Sequence, residues 1–309
     1  VLGERNVARV LEGPVPRWKV FGPAGTGNGA GEKNYGLPRC SDAVFETRFP
    51  FATVGLADAR LALEVKLTGW SPFVPGDADD SSLPVAALEY RFRNSTDEPV
   101  EAVYSFHARN FMSVTPPDIT GASGAGSAVT TTQGGFVLSQ NGSAERRCDH
   151  GAFSAAVDDP DVKVNCAWFR GGWFDPLTMV WKTVSEGQAV EADPLTEGAP
   201  SPGGSLYVPF QLDPGEEKTI RLHLAWYVPD PGVYVGERRF TNATSGQTCC
   251  CQGECEQPTY RPWYAGAFDS IEAVATYWRE HYDRLRAESE AFAGCFYDTT
   301  LPDEVVEAV

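Results

Sequence analysis

The segment KTIRLHLAWYV, residues 218–228, carries the clearest fold signal in this chain. Apolar and polar side chains alternate along it. The apolar set is Ile220, Leu222, Leu224 and Trp226, and the polar set includes Arg221 and His223. Half-buried strands of antiparallel sheets require this period of two. The segment therefore predicts a β-strand with one face in a core and one polar face.

The same alternation recurs up to about residue 230. Segments with a strand pattern are LALEVKLTGW (61–70), LEYRFRN (88–94), 100–111, 135–140, 152–157, 162–169 and 205–212. Turn-forming stretches such as NSTDEP and DDPD separate them, with no helical pattern in between. The sequence predicts a mainly β protein, in which residues 1–262 form a large two-sheet antiparallel β-sandwich domain.

The pattern changes to helical after residue 262. In DSIEAVATYWREHYDRLRAESEAFAG (269–294), Asp269 and Glu272 suggest a capping box and Gly294 suggests the end. The apolar stripe is Ile271, Val274, Ala275, Trp278, Tyr282, Leu285 and Phe292. We expect residues 263–309 to be a helical linker. Its stripe must be buried on the sandwich or on something that follows, and a following helical domain is the favoured cover. TLPDEVVEAV opens a second helix that the chain cuts short, so we expect a fragment of a longer protein.

Composition narrows the possible partners. The 309 residues carry a formal net charge of −17, and 42% of them are hydrophobic. Nucleic-acid binding needs a basic face, so this balance argues against it and against an anionic membrane surface. A neutral ligand such as a sugar fits better. The sequence holds no transmembrane-length apolar run and no signal-peptide pattern, so we expect a cytoplasmic protein in a reducing compartment.

DADDSS, residues 77–82, is the most polar candidate site. Asp77, Asp79 and Ser81 match positions 1, 3 and 5 of a calcium-binding loop. Ser82 replaces the required glycine, however, and a leucine falls where the bidentate glutamate belongs. Neighbouring carboxylates also rarely form the opposed pair of a glycosidase. A non-standard calcium site stays an alternative, and a turn stabilised by its own Asp and Ser side chains is favoured.

TCCCQGEC supplies the cysteines Cys249, Cys250, Cys251 and Cys255. Three consecutive cysteines cannot easily face one metal, so a metal site is the weaker alternative and a loop insertion with exposed thiols is preferred. We therefore predict no metal and no cofactor.

AWFRGGWFDPLTMVW, residues 167–181, contains several large aromatic residues. Exposed tryptophans stack on sugars, which makes Trp168 and Trp173 candidate stacking residues. Most tryptophans of a β-sandwich belong to the core, so the core interpretation is preferred.

Four strings carry a family resemblance: LTGWSPFVPGDADDSSLPVAALEYRFRN, LDPGEEKTIRLHLAWYVPD, TYRPWYAGAFDSIEAVATYWREHYDRL and FYDTTLPDEVVEAV. They resemble the N-terminal region of glycoside hydrolase family 116, the non-lysosomal glucosylceramidase (bile-acid β-glucosidase) group and its bacterial β-glucosidase relatives. The resemblance covers about residues 40–309. It implies a two-sheet β-sandwich joined by a helical linker to a C-terminal (α/α)6 barrel. In that family the barrel holds both catalytic carboxylates, so no catalytic role is assigned to a residue of this chain.

The resemblance implies an accessory domain of a retaining β-glucosidase or glucosylceramidase-like hydrolase. Its partners would be its own C-terminal catalytic domain and a neutral β-glucoside substrate. The alternative is a self-sufficient carbohydrate-binding β-sandwich. The candidates for the domain interface or the substrate entrance are Trp70, Asp77, Asp79, Ser81, Ser82, Trp263 and Tyr264.

Overall fold

The alternating segment around Leu222 forms the longest strand of the described chain. The computed structural model describes residues 1–3, 6–17, 36–114, 124–143, 146–170, 176–234 and 259–306. The strands in these ranges are β1 (Asp42–Arg48), β2 (Phe51–Ala57), β3 (Leu63–Trp70), β4 (Val85–Asn94), β5 (Val100–Arg109), β6 (Ser127–Thr132), β7 (Gly135–Gln140), β8 (Gly151–Val157), β9 (Lys163–Asn165), β10 (Gly203–Leu212), β11 (Glu217–Tyr227), β12 (Val233–Tyr234) and β13 (Thr259–Tyr260). The helices there are α1 (Pro176–Ser185), α2 (Tyr264–Ala267), α3 (Ile271–Tyr297) and α4 (Asp303–Val306), with short 3-10 turns at Asp80–Ser82 and Arg147–Asp149.

Two antiparallel sheets form the sandwich. The large sheet has the order β1-β2-β3-β4-β11-β8-β7-β6, and the small one has the order β5-β10-β9. Aromatic side chains join the two inner faces, because Tyr90 lies 4.7 Å from Tyr104 and Phe92 lies 5.2 Å from Phe210, measured between ring centroids. The predicted mainly β, two-sheet antiparallel sandwich is therefore confirmed.

The outer face of the large sheet is covered by α3. Trp278 and Leu285 of this helix are fully buried. They pack with sheet residues such as Val85, Ala87 and Tyr227 in a second hydrophobic core. The expectation that a following domain would cover the apolar stripe is thus wrong for these residues. The outer face of the large sheet carries apolar residues at Val85, Ala87, Ala225 and Tyr227, and with them it covers the stripe itself.

The ends of α3 also differ from the prediction. Ser270, rather than Asp269, caps the helix, since its hydroxyl accepts a hydrogen bond from the Ala273 amide at 3.3 Å. Gly294 remains helical, and α3 continues to Tyr297. A glycine ends a helix where it adopts a left-handed conformation, and Gly294 does not.

A helix within the sandwich was not predicted. Helix α1 begins with Pro176, where the missing amide hydrogen costs nothing, and Gly187 follows its end with φ of +68°. Pro176 and Gly187 are ordinary signals for the start and the end of a helix, but the segment between and before them is dominated by aromatic residues. None of the helices in the described ranges has the length and apolarity that crossing a membrane requires.

Candidate functional site

The loop at residues 71–84 connects β3 with β4 and holds the predicted polar cluster. Asp77 Oδ1 accepts a hydrogen bond from the Asp80 amide at 3.0 Å. The Ser81 hydroxyl donates to the Val74 carbonyl at 3.0 Å and accepts from the Val74 amide at 2.9 Å. Gly76 has φ of +85°, which suits glycine. Asp77 and Ser81 therefore stabilise the turn that the sequence predicted.

The acidic residue that contacts the rest of the protein is Asp80, which the sequence reasoning missed. It is 5% exposed. Its Oδ1 accepts from the Tyr277 hydroxyl and its Oδ2 from Arg284 Nη2, both at 2.8 Å. The Phe73 amide in the same loop donates to the Ser289 hydroxyl at 3.0 Å. The loop is thus fastened to α3 at three points along the helix.

Asp79 and Ser82 are exposed on the outside of this turn. No group of three or more His, Cys, Asp or Glu that could hold a metal occurs among the described residues. The carboxylate of Asp80 is already paired with a guanidinium, and Asp77 accepts a hydrogen bond from the backbone of its own turn.

Glu89 on β4 forms the second polar anchor beneath α3. Its Oε1 accepts from Arg286 Nε at 2.6 Å and from the Tyr282 hydroxyl at 2.5 Å, and its Oε2 accepts from Arg286 Nη2 at 3.0 Å. The Trp70 indole donates to Oε1 at 3.2 Å. Burial alone would raise the pKa of Glu89, but the hydrogen bonds from Arg286 and Tyr282 outweigh it, and this pKa lies below its ordinary value. Glu89 is therefore a charged anchor at neutral pH.

Trp70, a candidate for the entrance, lies inside this second core. It is 4% exposed, and its ring centroid lies 5.2 Å from those of both Trp278 and Tyr282. Its place is thus between the large sheet and α3. A role in which Trp70 contacts a substrate or another domain directly does not fit this burial.

An aromatic cluster lies where α3 ends, and we call it the C-terminal aromatic cluster. Its members are Phe49, Phe73, Phe292, Phe296 and Tyr297. Phe73 lies 4.9 Å from Phe49 and 4.7 Å from Phe292 between ring centroids. The Phe49 amide donates to the Tyr297 hydroxyl at 2.8 Å, and the Phe49 side chain stays 44% exposed. Three distant segments therefore meet here: the β1–β2 turn, the 71–84 loop and α3.

Trp263 and Tyr264 lie at the start of α2. The Tyr264 hydroxyl donates to the Val228 carbonyl at 3.0 Å, which ties α2 to the end of β11. Trp263 is 40% exposed. Since Val85 of β4 pairs with Ala225 of β11, this end of β11 and the 71–84 loop occupy the same end of the large sheet. The structure thus gathers Trp263, Tyr264 and the loop at one end of the sheet.

The sugar-stacking candidates gain no support from the described residues. Trp168 is 4% exposed, and its indole donates to the Ser205 hydroxyl at 2.8 Å. Its ring has no face open to a sugar, as the core interpretation predicted. Trp173 and the four clustered cysteines, Cys249, Cys250, Cys251 and Cys255, lie outside the described residues.

Sequence comparison identifies one family. A family model described as beta-glucosidase 2, glycosyl-hydrolase family 116 N-term, matches residues 2–285. No curated protein matches the sequence. The matched range includes the sandwich and α3 as far as Leu285, and therefore Tyr277, Tyr282 and Arg284 but not Arg286.

Several solved structures resemble the fold weakly. A protein assigned as a kojibiose phosphorylase from the human microbiome is 10% identical, with a TM-score of 0.29 over 60% of this chain and 20% of its own. A polysaccharide lyase is 14% identical, with a TM-score of 0.29 over 57% of this chain and 21% of its own. A GH36 α-galactosidase from Geobacillus stearothermophilus is 12% identical, with a TM-score of 0.23 over 62% and 26%. This chain thus spans only about a fifth to a quarter of each. Scores this low support no inference about activity.

Proposed function

The chain belongs to the N-terminal family of glycosyl-hydrolase family 116, and on this premise we propose that it is the accessory domain of a β-glucosidase or glucosylceramidase-like retaining hydrolase. In this role it packs against a C-terminal catalytic domain and does not itself cleave a glycosidic bond. The substrate of the whole enzyme is then a neutral β-glucoside.

The observation that carries the proposal is the exposed apolar surface around the C-terminal aromatic cluster. Phe49 is 44% exposed there, and Leu301 and Val305, which follow the cluster in sequence, are 57% and 48% exposed. On β1, the edge strand that leads into Phe49, Val44 and Phe45 are 59% and 65% exposed on opposite faces of the sheet. Grouped exposed apolar residues mark interaction surfaces. This surface lies where the chain leaves α3, which is where a C-terminal domain would begin.

The two buried anchors give this surface a fixed position. Asp80 and Glu89 bind Arg284 and Arg286 on the same helix, so α3 can neither slide nor rotate on the sheet without breaking an ion pair. A catalytic domain joined to α3 would therefore be held in a defined orientation. The exposed Asp79 and Ser82, on the outside of the fastened loop, are our candidates for the rim of the substrate entrance, together with Trp263.

An activity assay tests this function. We expect the chain alone to leave 4-nitrophenyl β-glucoside uncleaved. A family 116 catalytic domain, produced separately, should gain activity or thermal stability when this chain is added. Hydrolysis by the chain alone, at a rate typical of a β-glucosidase, would overturn the proposal.

A further inference from the structure

The first strand of the large sheet has a free edge. β1 (Asp42–Arg48) pairs with β2 on one side, and no strand in the described part of the chain pairs with its other side. All seven of its residues are exposed, and they include Val44 at 59% and Phe45 at 65%. The free edge therefore presents unpaired backbone N–H and C=O groups beside two large apolar side chains. Such an edge is a template on which another strand can pair.

The charges of β1 make the strand complementary to itself. Its sequence, DAVFETR, has an aspartate at the first position and an arginine at the last, equally far from Phe45. Two copies that pair antiparallel about Phe45 place Asp42 of each copy opposite Arg48 of the other. In a two-fold symmetric pair this contact occurs twice, and Phe45 faces Phe45 of the second copy. Opposite charges directly across a sheet stabilise the pairing, and like charges destabilise it.

The neighbouring registers bring like charges together. Side chains that face each other across two strands lie on the same face of the sheet, so the register can shift only in steps of two residues. A shift in one direction places Asp42 opposite Glu46, and a shift in the other places Glu46 opposite Glu46 of the second copy. Among these three registers, only the one centred on Phe45 pairs opposite charges directly.

Both end charges of β1 are available for this contact. The Asp42 carboxylate accepts a hydrogen bond from the neighbouring Ala43 amide at 2.9 Å. The Arg48 guanidinium lies 5.0 Å from the centre of the Tyr297 ring, which leaves its N–H groups free to bind a carboxylate. Neither side chain forms an ion pair within the part of the chain that the structure describes. Each therefore still lacks a partner of opposite charge.

We infer that β1 pairs with β1 of a second copy of this chain, antiparallel and centred on Phe45, so that two large sheets join into one continuous sheet. Pairing covers Val44 and Phe45 in part, on opposite faces of the joined sheet. Phe49, one residue beyond the strand, stays free for the catalytic domain. The inference does not rest on the proposed function, because the dimer can be measured with no catalytic domain present.

Sedimentation velocity of the full chain at increasing concentration detects the dimer. One pair of edge strands makes a small contact for a specific interface. We therefore expect monomer at about 1 μM and mainly dimer at about 100 μM.

Charge reversals test the register. Asp42→Arg and Arg48→Asp each place like charges across the pair twice, and each should weaken dimerisation at least about tenfold. The double variant keeps the net charge of the wild type and restores the opposite pairs, so it should dimerise like the wild type. A mixture of the two single variants should form a heterodimer, because one copy then offers two arginines and the other two aspartates. Lys163→Asp, a reversal of charge on the edge strand β9 of the small sheet, should leave the dimer unchanged.

Several outcomes would overturn the inference. A wild-type chain that stays monomeric up to about 100 μM would refute the dimer. Single variants that dimerise as tightly as the wild type would refute the contact at β1. Weakened single variants that neither the double substitution nor mixing rescues would refute the register. Where a variant fails to fold, hydrogen exchange of the wild-type β1 amides decides: slower exchange at high protein concentration supports the pairing, and unchanged exchange refutes it.

Discussion

Arg286 of α3 binds Glu89 of β4 through two nitrogen atoms, Nε at 2.6 Å and Nη2 at 3.0 Å. This bidentate pair lies under the helix, and the Glu89 side chain is only 10% exposed. Bidentate arginine–carboxylate pairs restrict both distance and orientation. The pair therefore fixes where α3 lies along the sheet, and with it the position of the C-terminal aromatic cluster.

Breaking this pair should destabilise the fold. Glu89→Gln keeps the shape of the side chain but removes the buried carboxylate, so that Arg286 keeps only its pair with the exposed Glu290, and we expect the free energy of unfolding to fall by about 2–3 kcal/mol. Urea denaturation measures this. Glu64→Gln, which removes an exposed carboxylate near Arg93, should cost less than about 1 kcal/mol. Equal losses in the two variants would contradict the anchoring role of Glu89.

Acidification should act through the same carboxylate. The pKa of Glu89 in the folded protein is lower than its ordinary value, because the hydrogen bonds from Arg286 and Tyr282 outweigh the effect of burial. The unfolded chain then binds the proton more readily. The stabilisation is complete above about pH 4.5 and is lost as the pH falls through the folded pKa. The stability difference between wild type and Glu89→Gln should be nearly the same at pH 7 and pH 4.5 and clearly smaller at pH 3. A constant difference would exclude this linkage.

Mutations can distinguish Asp80, which anchors the 71–84 loop to α3, from the residues that only shape the turn. Asp80→Asn removes the charge that Arg284 and Tyr277 bind, and we expect a loss of about 1–3 kcal/mol in unfolding free energy. Asp79→Asn, on the exposed side of the same turn, should change the stability by less than about 0.5 kcal/mol. A larger loss in Asp79→Asn than in Asp80→Asn would show that the loop is held differently.

Because the large sheet covers the apolar stripe of α3, shortening a side chain of that stripe should destabilise this chain without any other domain present. Leu285→Ala should cost about 2–5 kcal/mol, because it opens a cavity between α3 and the sheet. Glu280→Ala, at an exposed position of the same helix, is the matched control. Thermal unfolding followed by circular dichroism measures both. A small effect of Leu285→Ala would mean that α3 does not pack on the sandwich.

The sequence reasoning found the sandwich because strand alternation is a local property of the chain. The alternation around Leu222 places His223 on a polar face, and the same alternation in LEYRFRN (88–94) places Glu89 on one. Both residues are buried beneath α3, where Glu89 meets Arg286 and His223 Nε2 lies 2.7 Å from Asp158 Oδ2. A strand pattern shows which side chains share a face, but not which element covers that face.

The candidate site was predicted only in part, for a similar reason. Asp77 and Ser81 bond within their own loop, and local spacing is enough to suggest this. Asp80 bonds to residues about two hundred positions later, and nothing in its neighbourhood distinguishes it from Asp79. Tyr277 and Arg284, which bind Asp80, lie on one face of α3 beside its apolar stripe. Their helical spacing is the sequence signal from which a shared partner could have been suspected.

The central claim is that the fixed end of α3 presents an apolar surface to a C-terminal catalytic domain. The direct measurement is the affinity of this chain for a separately produced family 116 catalytic domain, determined by titration calorimetry. We expect Phe49→Ser to weaken binding at least about tenfold, as loss of an apolar contact at an interface does. Phe169→Ser, at another exposed phenylalanine, should leave the affinity unchanged. Unchanged affinity in a correctly folded Phe49→Ser variant would contradict the claim.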